Sequence, residues 1–173
     1  GGIRGRAPAG VRMKILHLDE QTGWRGGEQQ ASYLIAGLGK SGHGCFLCGR
    51  PGSPFMLADH DGKVQGRLEL PLRGEWDFWS ARRIATYARG EGIPIVHAHT
   101  GHAHSIACLA RFFNSALKVV VSRRVDFVPA RNPFSRYKYS LPDRFVAISS
   151  KIGDVLADFG MRCSGILKVM SIA

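Results

Sequence analysis

KILHLDEQTGWRGGEQQ, residues 14–30, is the stretch of sequence that decides the fold. Its first five residues form a short apolar run typical of a strand, its glycines predict a turn, and a helical pattern begins at Glu28. A strand, a glycine turn and a helix start bring backbone N–H groups up to an anion, because glycine has no side chain to block the approach. A tight turn would also select glycine for steric reasons alone. The stretch alone is therefore insufficient evidence. Together with the rest of the chain, it predicts an α/β domain that binds a ligand.

Helical and strand patterns alternate along the remaining sequence. Periodicity predicts helices over 28–40, 77–91, 103–114 and 151–159, and strands over 14–18, 45–48, 68–72, 93–98, 117–121, 144–148 and 166–170. Residues 122–141 are expected to form a long basic and aromatic loop. The alternation predicts an α/β fold with a doubly wound, mainly parallel sheet and helices on both of its faces, as in Rossmann-like domains.

Length and composition fit one globular domain. The 173 residues are 45% hydrophobic and 21% charged, and no apolar run approaches the roughly 18 residues that span a bilayer. Residues 1–12 are expected to be a leader or tag, because Met13-Lys14-Ile15 resembles a native start, which leaves 13–173 as the folded domain. Cys45 and Cys48 are spaced as C-x-x-C inside a predicted strand, so buried thiols of a cytosolic protein are expected rather than a zinc or redox site.

The chain is strongly basic, with a formal net charge of +11. Part of the excess positive charge is localised between Arg123 and Arg144, a segment with six basic residues and only two acidic ones, Asp126 and Asp143. A localised basic surface favours an anionic partner, which could be a phosphate, a nucleic acid or acidic lipid headgroups. A solvated basic face is the alternative.

Two well-known nucleotide motifs are absent from the sequence. The glycine spacing is not G-x-G-x-x-G and no Gly-Lys-Ser/Thr follows, so neither a dinucleotide cofactor nor a P-loop is expected. The histidines between His97 and His104 have no carboxylate or cysteine within their segment, so no metal site is predicted. A histidine at a strand end could instead hydrogen-bond a hydroxyl or a phosphate.

The polar residues of interest follow the predicted strands. In a doubly wound fold, ligands bind beyond the carboxyl ends of the strands. Those ends carry the glycine turn, the segment 97–102, Ser122-Arg123-Arg124 and Ile148-Ser149-Ser150. We therefore expect these residues to meet at one edge of the sheet.

Four motifs occur in an order that resembles a known family. They are Gly26-Gly27-Glu28, Ile95-Val96-His97-Ala98-His99, Val121-Ser122-Arg123-Arg124 and Asp143-Arg144-Phe145-Val146-Ala147-Ile148-Ser149. Together they resemble the N-terminal, acceptor-side domain of GT-B glycosyltransferases of the retaining group 1, family four-like. The resemblance covers Met13 to Ala173, and it implies a donor-binding C-terminal domain that we expect to lie outside this sequence.

The resemblance implies roles for individual residues. His99 would contact the transferred sugar as the catalytic residue, and Gly26 and Gly27 would lie against the donor phosphates and the acceptor. Arg123 and Arg124 could bind an anionic acceptor, because arginine suits phosphate and carboxylate. Lys138 and Ser149 complete the predicted binding set. No metal and no cofactor are expected.

The function implied is retaining transfer of a sugar from a nucleotide-sugar to a saccharide or lipid-linked acceptor in cell-envelope glycan synthesis, for example of lipopolysaccharide. This chain alone is expected to be inactive. The expected location is cytoplasmic, with peripheral contact to the anionic inner membrane through Phe127, Phe134, Tyr137 and Tyr139. The alternative is a non-catalytic α/β module for a phosphorylated or nucleic-acid ligand. Nucleic acid is not expected, because the aromatic residues do not alternate with basic ones along a strand.

Overall fold

The computed structural model describes residues 13–123, 133–147 and 166–168, together with helical residues 152, 154 and 156. The predicted leader 1–12 and most of the predicted helix 151–159 lie outside this part of the chain. The strands are β1 (Lys14–Asp19), β2 (Gly44–Gly49), β3 (Val64–Glu69), β4 (Ile95–Ala98), β5 (Lys118–Arg123), β6 (Arg144–Ala147) and β7 (Ile166–Lys168). The helices are α1 (Gly26–Lys40), α2 (Pro54–Leu57), α3 (Phe78–Glu91), α4 (Gly101–Phe113) and α5 (Pro133–Ser140), with a 3₁₀ turn at His60–Gly62.

All described strands join one parallel sheet. Its order is β3-β2-β1-β4-β5-β6-β7, and each neighbouring pair is parallel. The winding direction changes between β1 and β4, where His17 pairs in register with His97. Ligands of doubly wound folds bind at this switch point. The predicted fold class is confirmed.

Two hydrophobic cores cover the two faces of the sheet. Successive strand residues point to opposite faces, and in β2 Phe46 and Cys48 join the larger core while Cys45 and Leu47 join the smaller. Helices α3 and α4 pack on the larger core, and α1 and α2 pack on the smaller. Burial raises the pKa of Cys45 to about 11, which agrees with the expected inert thiol.

The third strand was predicted in the wrong place. The prediction of a strand at 68–72 followed the apolar residues Leu68, Leu70 and Leu72, but the strand is β3 at Val64–Glu69. β3 is the edge of the sheet and every second side chain is exposed, so its sequence carries little apolar signal. Leu70 and Leu72 are buried after the strand has ended.

The predicted loop at 122–141 was also wrong in its second half. Residues 133–140 form α5, which begins at Pro133, a residue that is common in the first turn of helices. No residue of α5 is fully buried, so the helix lacks the apolar stripe that periodicity detects. Helices α1 and α4 begin two residues earlier than predicted, at Gly26 and Gly101.

Within the described residues, no helix combines the length and apolarity that crossing a bilayer requires.

Asp77 fixes the start of α3. Its carboxylate accepts hydrogen bonds from the Ser80 backbone N–H at 2.9 Å, the Ser80 hydroxyl at 2.6 Å and the Arg73 backbone N–H at 2.9 Å. Burial alone would raise the pKa of Asp77, but these hydrogen bonds hold the pKa below its usual range. The ionised Asp77 carboxylate is therefore the form that stabilises the fold.

We expect Asp77→Ala to lower the free energy of unfolding by about 1–2 kcal/mol at pH 7, because the first turn of α3 loses its cap. A group with a lowered folded-state pKa loses its contribution as the pH falls, so the difference from wild type should narrow below about pH 4. Urea unfolding of the variant and of wild type, at pH 7 and below about pH 4, measures this difference in stability. Glu91→Ala, at the other end of α3, is the control and should leave stability unchanged. An equal loss in both variants would contradict the assignment of the cap.

Candidate functional site

A cleft of about 530 Å³ lies at the carboxyl ends of the central strands. Its walls come from the start of α1, the start of α4, the ends of β4 and β5, and the α5 segment. The lining residues are Gln21, Arg25, Gly26, Gly27, Glu28, Gln30, His99, Thr100, Gly101, His104, Val121, Ser122, Arg123, Tyr139 and Phe145. Gln21 follows β1 and His99 follows β4, so the cleft lies at the topological switch point of the sheet.

Two helix N-termini meet at this cleft. Arg25 precedes α1, and its backbone N–H donates to Glu28 Oε2 at 2.6 Å, which is the acidic half of a capping box. Thr100 precedes α4, and its hydroxyl oxygen accepts from the Ala103 N–H at 3.2 Å. Helix N-termini carry partial positive charge and backbone donors, so their convergence favours an anionic ligand. The acid that follows the glycine pair is thereby explained as part of a helix cap.

The glycines at these two helix starts are not required by the fold. A Cβ added at Gly26 or Gly101 would meet no heavy atom within 4 Å, and neither glycine has a positive φ. Both residues line the cleft. A side chain at either position would occupy space that is open in the structure and that a ligand could use.

Glu20 ties the loop after β1 to the start of α4. The carboxylate is buried at 4% exposure, accepts from the Thr100 hydroxyl and from Gln21 Nε2 at 2.8 Å, and lies 3.9 Å from His102 Nδ1. A carboxylate beside a helix N-terminus is stabilised by the helix dipole. This contact holds the two ligand-facing loops in a fixed relative position.

Three buried histidines lie side by side beneath the cleft. His17 Nδ1 and His99 Nε2 are 3.1 Å apart with the rings stacked, and His97 Nε2 lies 2.8 Å from the Ser122 hydroxyl. Burial, followed by the neighbouring His97 and His60, lowers the pKa of His17 well below its ordinary value, so its ring is neutral at neutral pH. One nitrogen of each of the three rings is thus engaged in a hydrogen bond.

The His17–His99 contact also indicates a tautomer. His17 Nε2 is buried with no hydrogen-bond partner among the described residues. An orphaned buried N–H is rarer than an orphaned acceptor, so we place the His17 proton on Nδ1, where it donates to His99 Nε2. The proton of His99 then lies on Nδ1, which makes that nitrogen a donor.

The same trio has a spacing that could hold a metal ion. The candidate ligand nitrogens of His17, His97 and His99 lie within 4.8 Å of one another. The sequence prediction of no metal considered only the segment 97–104 and did not include His17. In this structure the trio forms a hydrogen-bonded cluster, with one nitrogen of each ring engaged.

Arg123 provides a buried positive charge on the cleft wall. The residue is only 6% exposed, its guanidinium donates to the Tyr139 hydroxyl, and it lies 5.2 Å from the centre of the same ring. Tyr139 stacks on Phe145, and His104 packs edge-on against both rings. Burial, followed by the nearby Lys138 charge, lowers the pKa of His104 to about 3. An aromatic box with a neutral histidine therefore holds the arginine.

The sequence profile of Glycosyltransferase Family 4 matches residues 24–166. The chain belongs to this family. The match covers most of the chain and contains the glycine pair, His99 and Arg123. The family resemblance drawn from the four motifs is confirmed. A search of curated protein sequences finds no significant match.

Solved structures share the fold of this family 4 chain. A glycosyltransferase from Rickettsia africae ESF-5 is similar at a TM-score of 0.71 and 16% identity, with 92% of this chain matched to 43% of that one. HepE from Anabaena, in complex with UDP and glucose, is similar at 0.67 and 13% identity, with 92% matched to 44%. The lipopolysaccharide outer core galactosyltransferase WaaB is similar at 0.66 and 16% identity, with 90% matched to 44%. The chain spans less than half the length of each.

The structure brings four of the predicted site residues together. Gly26, Gly27, His99 and Arg123 line the one cleft. Lys138 does not line it: Lys138 Nζ lies at the rim, 3.3 Å from the Gly101 carbonyl oxygen and 2.7 Å from Glu75 Oε1. Arg124 and Ser149 lie outside the described residues. The chemical roles of all seven residues stay predictions.

Sequence reasoning missed His17, Glu20 and Thr100 in this family 4 site. Each acts through a partner some 80 residues away in the sequence, as in the His17–His99 and Glu20–Thr100 contacts. The sequence did contain a signal for His17 and for Thr100. A histidine inside an apolar strand requires a buried partner, and Thr100 before a helical pattern is a typical N-cap.

Stability should fall as the pH falls from about 7.5 to 5. The pKa values of His17 and His104 are lowered in the folded state, so the unfolded chain binds their protons first, near pH 6.5. Each histidine contributes a slope of about 1.4 kcal/mol per pH unit below that point. We expect His104→Phe to reduce the slope between pH 6 and 4.5 by about this amount, as measured by urea unfolding at several pH values.

Phe145→Leu is the matched control, because it alters the same aromatic box without removing a titrating group. It should lower stability at every pH and leave the slope as in wild type. A His104→Phe slope equal to that of wild type would show that His104 is protonated in the folded protein.

Proposed function

We propose that this chain is the acceptor-side half of a retaining glycosyltransferase that moves a sugar from a nucleotide-sugar to a saccharide or lipid-linked acceptor. The observation that carries the proposal is the convergence of two helix N-termini, His99 and Arg123 on one cleft in a family 4 chain. We assign the reaction to cell-envelope glycan synthesis at the cytoplasmic face of the inner membrane. The likeness to a lipopolysaccharide galactosyltransferase supports this setting.

The glycine pair would receive the donor diphosphate. Negative charge builds up on the departing diphosphate as its bond to the sugar breaks, and fixed N–H dipoles stabilise such charge without reorganising. Gly26 and Gly27 lie in the first turn of α1, and Gly101 begins α4 across the cleft. The HepE structure contains UDP and glucose, which supports a nucleotide-sugar as donor.

His99 would orient the transferred sugar. Its imidazole would donate from Nδ1 to a sugar hydroxyl or a phosphate oxygen. The His17 contact and the His99 backbone N–H, which donates to the Leu18 carbonyl at 3.0 Å, fix the position of this residue. Such preorganisation contributes to rate, because small displacements of a positioning group are costly.

Arg123 would bind an anionic group of the acceptor. A buried guanidinium pairs well with phosphate or carboxylate, and Tyr139 holds it in one orientation. Lys138 at the rim, Arg124 and Ser149 complete the proposed acceptor and donor contacts. We further propose that a second domain, beyond the portion shared with the solved structures, supplies most of the donor recognition.

The test is a sugar-transfer assay of the full-length protein from the source gene. Radiolabelled nucleotide-sugars are supplied with cell-envelope lipid extract as acceptor, and NMR of the product determines the anomeric configuration. We expect one donor to be used with retention, and His99→Ala to reduce kcat/KM by roughly 100-fold or more. Absence of transfer from every donor, or an inverted product, would overturn the proposal.

Gly26→Ala separates a ligand-binding role from a structural one. The substitution should leave the unfolding free energy unchanged or slightly higher, since the backbone suits alanine and the Cβ meets nothing. It should lower kcat/KM for the nucleotide-sugar by roughly tenfold or more, because a methyl group enters the phosphate space.

Gly37→Ala is the matched control on the exposed side of α1, where a Cβ also meets nothing. It should raise stability by about 0.5–1 kcal/mol and leave kcat/KM unchanged. Wild-type kcat/KM in Gly26→Ala would remove this residue from the donor site.

A further inference from the structure

A cluster of large aromatic side chains is exposed beside the cleft. Trp76 is 61% exposed, Phe78 53%, Phe112 70%, Phe134 49% and Tyr137 58%. We call these five residues the aromatic face. Exposed apolar surface of this kind, concentrated in one place, marks an interaction site rather than ordinary scatter.

The aromatic face is continuous although its residues come from separate elements. The Trp76 ring centre lies 6.4 Å from that of Phe78 and 5.4 Å from that of Phe134. All five side chains line a groove of about 250 Å³ between α3, α4 and α5.

The helices around the groove are strongly basic. α3, α4 and α5 carry one acidic residue, Glu91, and six basic residues, Arg82, Arg83, Arg89, Arg111, Arg136 and Lys138. Two of the six are paired with acids outside these helices, Lys138 with Glu75 at 2.7 Å and Arg111 with Asp143 at 3.2 Å. Arg82, Arg83 and Arg136 are exposed. Aromatic rings beside arginines suit the headgroup region of an anionic bilayer, where the rings enter the interface and the cations meet phosphate.

The groove is connected to the cleft through Lys138. This residue lines the groove, and its Nζ contacts the Gly101 carbonyl oxygen at the start of α4, which lines the cleft. A surface docked on the aromatic face would thus lie next to the cleft opening. That placement suits an acceptor whose lipid stays in the membrane while its sugar reaches the site.

We propose that the aromatic face is the docking surface of this chain for an anionic lipid bilayer. The inference deepens the proposed function, from which it takes its biological purpose, and identifies the surface by residues. It differs from the contact set expected from the sequence. Tyr139 lies in the cleft instead, Phe127 is outside the described residues, and Trp76, Phe78 and Phe112 join Phe134 and Tyr137.

Vesicle flotation of this chain tests the proposal. Vesicles of phosphatidylcholine alone are compared with vesicles containing 30 mol% phosphatidylglycerol. We expect binding to the anionic vesicles that weakens with added salt, and at least fivefold less binding to the neutral ones, on the order of what electrostatic attraction supplies. Trp76→Ser with Phe134→Ser should reduce binding to the anionic vesicles by roughly tenfold.

Tyr33→Ser with Leu57→Ser is the matched control. These residues are 69% and 72% exposed on the helices α1 and α2, which cover the opposite face of the sheet. This variant should bind as wild type does. Circular dichroism melting of both double variants confirms that each is folded.

Equal binding to neutral and anionic vesicles would overturn the proposal. So would wild-type binding by the Trp76/Phe134 variant, or a wild-type dimer in light scattering that the same variant dissociates. No sugar donor or acceptor is present in this assay. A protein that floats but transfers no sugar therefore refutes the proposed function alone, and one that transfers sugar in detergent but does not float refutes the docking surface alone.

Discussion

The parallel pairing of β1 with β4 is the contact on which the remaining structure depends. It joins two strands that are distant in sequence and places Leu18 beside Ala98, so the loops that follow both strands leave the sheet at the same edge. One loop leads into α1 and the other into α4. The cleft, the stacked histidines and the Glu20–Thr100 contact all result from this register.

The charges and helix dipoles around the cleft are compensated by protein groups rather than by solvent. Each of the two helix N-termini already has a nearby carboxylate, Glu28 at α1 and Glu20 at α4. Arg123 adds a positive charge held by a tyrosine, and His17 and His104 are kept neutral by burial. A site built from fixed dipoles changes little when a charged ligand arrives, which suits the sugar transfer proposed above.

Local patterns were sufficient where burial is uniform. β1, β2, β4 and β5 have mostly buried residues, and their apolar runs predicted a parallel sheet whose carboxyl strand ends lie at one edge. β3 was misplaced because an edge strand faces solvent on alternate residues, and α5 was missed because none of its residues is fully buried. His99, the glycine pair and Arg123 could be predicted because topology alone places strand ends together. The partners of His17 and Glu20 could not be predicted, because they lie about 80 residues away in other loops.

The strand order has a consequence for how the chain acquires its structure. Among the described strands, β1 is made first but lies near the middle of the sheet, between β2 and β4. During synthesis, β1, β2 and β3 can pair as soon as residue 69 has left the ribosome, whereas the other edge of β1 must wait for residues 95–98. Until then an apolar strand edge is uncovered, and such edges are the ones that chaperones and aggregation compete for. The switch point beside the candidate site is thus the seam at which the second half of the sheet, which begins with β4, joins the first half.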